Sequence, residues 1–330
     1  MPYIILRKFY FLILLTLFAA ISLPAMAQVF PNKPVTLIVP FPPGGPSDTL
    51  ARAVALRMGK NLGQPVVIEN ISGASGTIGL SKMVSAAPDG YTLGFGTNGT
   101  HVANVALFKK MPYDPIADFE PIGMAGGAAL ILVAKSGLPV NNLKDFISYA
   151  QANKAKLTFG SAGVGSISHS GCVIMLSELK LEVTHIPYRG VAPAMNDLMG
   201  GQIDFMCDQT TTALPQLAGG KIKALGVLSK QPLKQLPGVA TLASLGYADV
   251  DVRSWNAIFA PKGTSKDVVA VLNRALAAAV GDPEFLAQMS AVGVDLPTSE
   301  TVSPSVVSAT IKLGLRRDVP ALRARGEYFD

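Results

Sequence analysis

Two glycine-rich stretches hold the residues of this chain best suited to chemistry. The first is Val39-Pro40-Phe41-Pro42-Pro43-Gly44-Gly45-Pro46-Ser47-Asp48. The second is Thr158-Phe159-Gly160-Ser161-Ala162-Gly163-Val164-Gly165-Ser166-Ile167-Ser168-His169. Each follows a short apolar run of strand character and precedes a segment of helical character. A helix that starts at such a junction leaves its first N–H groups unpaired, and its dipole favours negative charge there. Gly44 and Gly45 let a ligand approach the backbone without interference from a Cβ. Ser47 is placed as the N-cap, with Asp48 in the first turn. The Asp48 carboxylate suits capping, water, or a hydroxyl or ammonium group better than an anion, and a plain capped turn accounts for this stretch equally well. The second stretch is richer in donors, with Ser161, Gly163, Gly165, Ser166, Ser168 and His169 offering N–H and hydroxyl groups close together. Two such cradles point to a small molecule with a carboxylate, held between two lobes.

Other chemistries fit less well. The chain has 3 histidines. None of them stands with another histidine, cysteine or carboxylate at metal-ligand spacing, so no metal and no cofactor is expected. His169 falls in the first turn after the second loop, where it can donate to a ligand. His101 lies in a loop after a strand, and His185 lies inside a strand as a packing residue. The pattern G-x-x-x-x-G-K-[ST] is absent, as is G-x-S-x-G, and Gly73-Ala74-Ser75-Gly76-Thr77-Ile78-Gly79 departs from G-x-G-x-x-G. Ser166, His169 and Asp208 could be assembled into a triad, but any chain of this length offers such a set. The chain is therefore not expected to be an enzyme.

Strand and helix signals alternate around these loops. Residues 35–41 read as a strand and 48–61 as a helix stopped by Gly63. Strands follow at 66–68, 91–95 and 131–133, and a helix at 143–153 after Asn141-Asn142. Further strands are read at 157–159, 183–188, 203–207 and 224–227, with helical segments around 195–199 and 214–217. Late helices are read at 268–279 and 304–315. This β-α alternation predicts parallel sheets with helices on both faces, and ligands in such folds bind outside the carboxyl ends of strands.

Arg7-Lys8, the apolar stretch 9–21 and Ala25-Met26-Ala27 form an export leader, cleaved after Ala27. No cysteine follows to carry a lipid, and no second long apolar segment exists, so a soluble periplasmic protein is expected. The remaining length exceeds what one core serves, which predicts two domains. Lys and Arg number 28 against 22 Asp and Glu, scattered along the chain and not interleaved with aromatics, which argues against nucleic acid. Cys172 and Cys207 both read as apolar core positions. Export permits a disulfide, but two buried free thiols are the favoured expectation.

Several ordered segments closely resemble the periplasmic substrate-binding proteins of tripartite tricarboxylate transporters, the Bug receptor family. They include Pro34-Val35-Thr36-Leu37-Ile38-Val39-Pro40-Phe41-Pro42-Pro43-Gly44-Gly45, Glu69-Asn70-Ile71-Ser72-Gly73-Ala74 and Ala87-Pro88-Asp89-Gly90-Tyr91-Thr92-Leu93. Gly99-Thr100-His101, Met111-Pro112-Tyr113-Asp114-Pro115, Phe159-Gly160-Ser161-Ala162-Gly163-Val164-Gly165-Ser166, Ile186-Pro187-Tyr188-Arg189-Gly190 and Gly200-Gly201-Gln202-Ile203-Asp204 continue the series. The resemblance implies a type II periplasmic binding protein fold: two doubly wound α/β lobes joined by two hinge strands. Lobe 1 would be 28–130 plus 254–330 and lobe 2 would be 131–253. It also implies ligand contacts at Gly44, Gly45, Ser47 and Asp48 on one jaw and Ser161, Gly163, Gly165, Ser166 and His169 on the other. Asn70, Thr97, His101 and Asp208 would stand at the rim, with Tyr188 and Arg189 as weaker candidates. Cys207-Asp208-Gln209 stands where many relatives have Phe-Asp-Asn, so specificity there would differ. The implied function is that of a monomeric receptor that captures a small organic acid and delivers it to the integral-membrane subunits of the transporter. A receptor presenting ligand to a membrane sensor kinase is the alternative, which neighbouring genes would distinguish.

Overall fold

The computed structural model describes residues 30–153, 155–248 and 250–323; the expected leader and its cleavage site lie outside them. The β-branched run Val35–Val39 forms β1, and α1 follows over Pro46–Leu62. Proline suits the first helical position because its missing N–H would be unpaired there, and Gly63 ends the helix in the left-handed region at φ 67°. Next come β2 (Val66–Asn70), α2 (Thr77–Val84) and β3 (Thr92–Thr97). A π-helical turn over Gly99–Ala103 leads into α3 (Asn104–Leu107). Strand β4 (Phe119–Ala128) is followed, after Ala129 alone, by β5 (Leu130–Lys135).

The second set of alternating elements is α4 (Leu143–Asn153), β6 (Thr158–Ser161), α5 (Ile167–Glu178), β7 (Thr184–Pro187), α6 (Val191–Met199), β8 (Phe205–Gln209), α7 (Thr210–Ala218) and β9 (Ile222–Val227). The chain then returns through β10 (Asn256–Pro261) and ends with α8 (Lys266–Val280), α9 (Pro283–Ala291), β11 (Val294–Asp295) and α10 (Pro304–Arg323).

These strands form two sheets, one ordered β11-β4-β10-β3-β1-β2 and the other β7-β6-β8-β5-β9. β1 is parallel to β2 and β3, and β6 is parallel to β7 and β8, as the β-α alternation predicts. The sheets as wholes are mixed, however. β10 runs antiparallel to β3 and β4, and β5 runs antiparallel to β8 and β9. The reversed strands are those that carry the chain from one sheet to the other, so they enter against the local direction. The two passages meet where Ala129 bridges Arg253 in antiparallel fashion, and Ser254 N–H donates to Ala128 O at 2.8 Å.

Side-chain alternation on β5 shows how the second sheet is buried on both faces. Leu130, Leu132 and Ala134 enter a core with Phe146, Phe159 and Phe205, while Ile131 and Val133 enter another with Met195 and Met206. Cys172 on α5 and Cys207 on β8 meet in the first of these cores, with Cα atoms 5.3 Å apart, and form a disulfide. This corrects the expectation of two free thiols. Both sites are core positions, as read, but a sequence separation of 35 says nothing about the packing of α5 onto β8 that brings them together.

Candidate functional site

The first glycine junction turns the chain from the end of β1 into α1. Gly44 adopts φ 82°, and Gly45, not Ser47, is the N-cap of α1, without a side-chain cap. Ser47 lies inside the helix, where its Oγ donates to Asn256 Oδ1 at 3.3 Å. The Asp48 carboxylate turns back on its own loop. It accepts from Gly44 N–H at 2.9 Å, Asn70 Nδ2 at 2.8 Å and Arg52 Nε at 3.0 Å. Burial works to raise its pKa, but the hydrogen bonds from Arg52, Gly44 and Asn70 outweigh it and leave the acid stronger than an ordinary aspartate. Asn70 also donates to Phe41 O at 3.0 Å. Asp48 and Asn70 thus brace the loop from behind.

The second junction runs from β6 into α5. Ser166 is the N-cap: its Oγ accepts from His169 N–H at 3.3 Å and donates to Gly163 O at 2.6 Å. Gly163 (φ 111°) and Gly165 (φ 81°) hold left-handed conformations that glycine adopts without strain. His169 is buried. Its Nδ1 accepts from Gly165 N–H at 3.3 Å, and its ring packs 4.4 Å from that of His185. Burial and the neighbouring His185 pull its pKa down to about 3, so it is neutral at physiological pH. Ser161 Oγ accepts from Gly163 N–H at 3.1 Å and meets His185 Nε2 at 2.7 Å. Ser161, His169 and His185 therefore shape this loop from the core side.

A third junction, at the end of β7, enters the same cleft. Gly190 (φ 119°) is the N-cap of α6, and a Cβ added there would lie 3.1 Å from the Pro42 ring of the first junction. Tyr188 and Arg189, the weaker candidates from the sequence, stand beside it, and Gly190 itself is not among the expected ligand residues. The signal was a glycine between the strand and Val191-Ala192-Pro193.

The cleft is walled by these three junctions. Phe41, Pro42, Pro43, Gly45, Pro46 and Ser47 come from the first, Ala162 and Ser166 to Ser168 from the second, and Gly190 to Pro193 from the third. Thr97, Asn98, Gln209 and the return passage at Ser254, Trp255 and Asn256 complete it. Of the residues expected at the ligand, the structure brings Gly45, Ser47, Thr97 and Ser166 to the cleft. Gly44, Asp48, Asn70, His101, Ser161, Gly163, Gly165, His169 and Asp208 do not line it. His101 is fully buried beneath Trp255 and stacks on Phe259 at 4.2 Å, and burial lowers its pKa to about 3. Asp208 is buried on β8 beside Gln209, and burial raises its pKa to about 7 despite hydrogen bonds from Thr212 and the Gln209 backbone.

No side chain lining the cleft is ionisable. Its polar groups are neutral side chains and helix starts. The N–H groups of Ser47 and Asp48 on α1, Ile167 and Ser168 on α5, and Val191 and Ala192 on α6 have no hydrogen-bond partner among the described residues. Three helix N-termini thus converge on one cleft, an arrangement that stabilises an anion without a cation. Among the described residues no group of His, Cys, Asp and Glu could hold a metal ion, and no helix is long and apolar enough to cross a membrane.

Comparison with known proteins places the chain among similar molecules. Residues 50–303 match the family model described as "Tripartite tricarboxylate transporter family receptor". A protein of Agrobacterium vitis, named for the TAR-I ttuE-ttuC' intergenic region, is 34% identical over 314 residues, covering 94% of this chain and 90% of its own length. The structure of the periplasmic binding protein BugD superposes with a TM-score of 0.87 at 36% identity, covering 91% of this chain and 100% of that one. MatC of Rhodopseudomonas palustris, solved with bound malate, superposes with a TM-score of 0.84 at 38% identity, covering 88% and 99%.

Proposed function

We propose, given that this chain belongs to the tripartite tricarboxylate transporter receptor family, that it captures a small organic carboxylate in this cleft and delivers it to the integral-membrane subunits of a tripartite transporter. Family members and solved neighbours are solute-binding proteins rather than enzymes. The observation that carries the ligand class is the convergence of three helix starts on a cleft without a charged side chain. Unpaired N–H groups there offset the charge of a carboxylate, and waters can bridge to ligands of different length. The malate bound by MatC supports an organic acid here. Residues 28–130 plus 254–330 would form one lobe and 131–253 the other, closing about the paired passages at Ala129 and Arg253. After loss of the leader the receptor would act in the periplasm as a monomer. A thermal-shift screen tests this reading, because a ligand that binds the native state raises the melting temperature by mass action. Stabilisation by organic acids is expected; stabilisation by neutral sugars alone would sink the proposal.

A further inference from the structure

We infer that side-chain volume behind the hinge, outside the cleft, sets ligand affinity through the ease of lobe closure, and that Ile174 is the residue placed to control it. The inference rests on the two-lobe closure proposed above and goes beyond it.

The return passage faces two ways. Ser254, Trp255 and Asn256 line the cleft, whereas Asp251, Val252 and Arg253, directly before them, line a second cavity of about 360 Å³. Asn98 and Ile167 border both spaces. The passage, with these two side chains, is therefore the partition between a front cleft and a rear groove. The other connection between the sheets lies against it: Ala129 bridges Arg253, and Ser254 Oγ accepts from Ala128 N–H at 2.9 Å.

The walls of the rear groove come from opposite lobes. Ile167, Ser170, Ile174 and Glu178 recur at helical spacing on one face of α5. Arg317, Asp318 and Leu322 of α10 stand across from them. On the cleft side the same two lobes touch, through the Ser75 Oγ hydrogen bond to Val164 O and the approach of Gly190 to Pro42. On the rear side, among the described residues, no hydrogen bond or ion pair joins the groove residues of α5 to those of α10. Arg317 pairs with its neighbour Asp318, and Ser170 Oγ donates back into its own helix at Ser166 O. A through-space attraction between Arg317 and Asp251 acts across the gap.

Two rigid lobes that turn about connections lying between the two spaces cannot widen one without narrowing the other. Opening the cleft would bring α5 towards α10, strengthen that attraction and cover apolar surface of Ile174 and Leu322. Such rear contact favours the open form, and a ligand must outweigh it to close the cleft. Ile174 is only partly buried. Extra volume there fits the groove while it is wide and collides with α10 when it narrows. Open conformers are lost, the competent fraction rises, and apparent affinity rises with it.

Ile174→Trp tests this in the mature protein, unfolded and refolded to remove ligand and checked for its fold by circular dichroism. Without ligand, small-angle X-ray scattering is expected to give a smaller radius of gyration than wild type. An equal or larger radius in the folded variant overturns the inference. Calorimetric titration with malate as the probe is expected to show binding at least about threefold tighter than wild type. Malate binding equal to or weaker than wild type also overturns it, since a merely structural lesion would weaken binding. Malate bound by neither protein counts against the carboxylate reading and leaves the scattering to decide this inference. If Ile174→Trp does not fold, Ile174→Phe is read by the same two measurements.

Discussion

Ser75 Oγ donates a hydrogen bond to the carbonyl oxygen of Val164, joining the loop before α2 to the glycine loop before α5. The next residue of that loop, Gly165, lies against α3, where an added Cβ would sit 2.6 Å from Asn104 Oδ1. Asn104 Nδ2 in turn donates to Ser75 O at 3.0 Å. The second glycine loop is therefore a clasp onto elements of the first sheet as well as a support for the cleft.

Gly165→Ala should loosen this clasp, because it adds both the clash and left-handed strain at φ 81°. A ligand affinity lower by about tenfold is expected, from roughly 1–2 kcal/mol of backbone strain at this position. Ser75→Ala should cost less, about the worth of one neutral hydrogen bond. Calorimetric titration of both variants reads this out; wild-type affinity in both would show that the clasp does not support the cleft.

Gly190→Val tests the other approach between the walls. Its side chain would press on Pro42 from a residue held at φ 119°. Binding is expected to weaken by one to two orders of magnitude, at roughly 1.4 kcal/mol for each tenfold. Far-ultraviolet circular dichroism should stay the same, because the contact is between walls and not within a core. Equal loss of helix signal and affinity would show a folding defect instead.

How much of this was legible in the sequence depends on range. The β-branched run of β1, the stop at Gly63 and the boundaries of α4 are local signals, and the sequence reading placed them within a residue or two. β4 was missed: it carries Pro121 and a Gly126-Gly127 pair, the wrong composition for a strand, and is held in place by pairing with β10. The helix start at Ser166 was legible as a junction. Which side of it His169 faces was not, because that depends on how α5 is rotated against β6 and His185. Likewise, nothing local to Asp48 shows that Asn70, on another strand, will hold its carboxylate away from the cleft.

The Cys172–Cys207 bridge should be a large share of net stability. It closes a separation of 35 residues inside the core, for which loop entropy allows up to about 4 kcal/mol. The double variant Cys172→Ala/Cys207→Ala should unfold at a lower urea concentration by about 2–4 kcal/mol. Thiol counting on the denatured, unreduced protein should find no reactive thiol; two thiols would refute the bridge.

Asp208 should make stability fall as pH rises. Its native pKa, about 7, lies above the ordinary value of 3.8, so the native state holds the proton more tightly than the unfolded chain does. The associated stabilisation is complete below pH 3.8 and is lost as pH rises through 7. Asp208→Asn cannot ionise. Urea unfolding at pH 5 and pH 8 should therefore show wild type losing about 2–3 kcal/mol relative to the variant over that interval. A constant difference between the two proteins would place the native pKa near its ordinary value.

A carboxylate held as proposed would be gripped by main-chain N–H groups at helix starts, and peptide hydrogens are the same whatever side chain each residue carries. Substitutions along the walls can therefore retailor the occupant while the hold on its charged end survives. Lineages of this scaffold could drift from one acid to another through single neutral exchanges, never passing through a form that has lost its anchor.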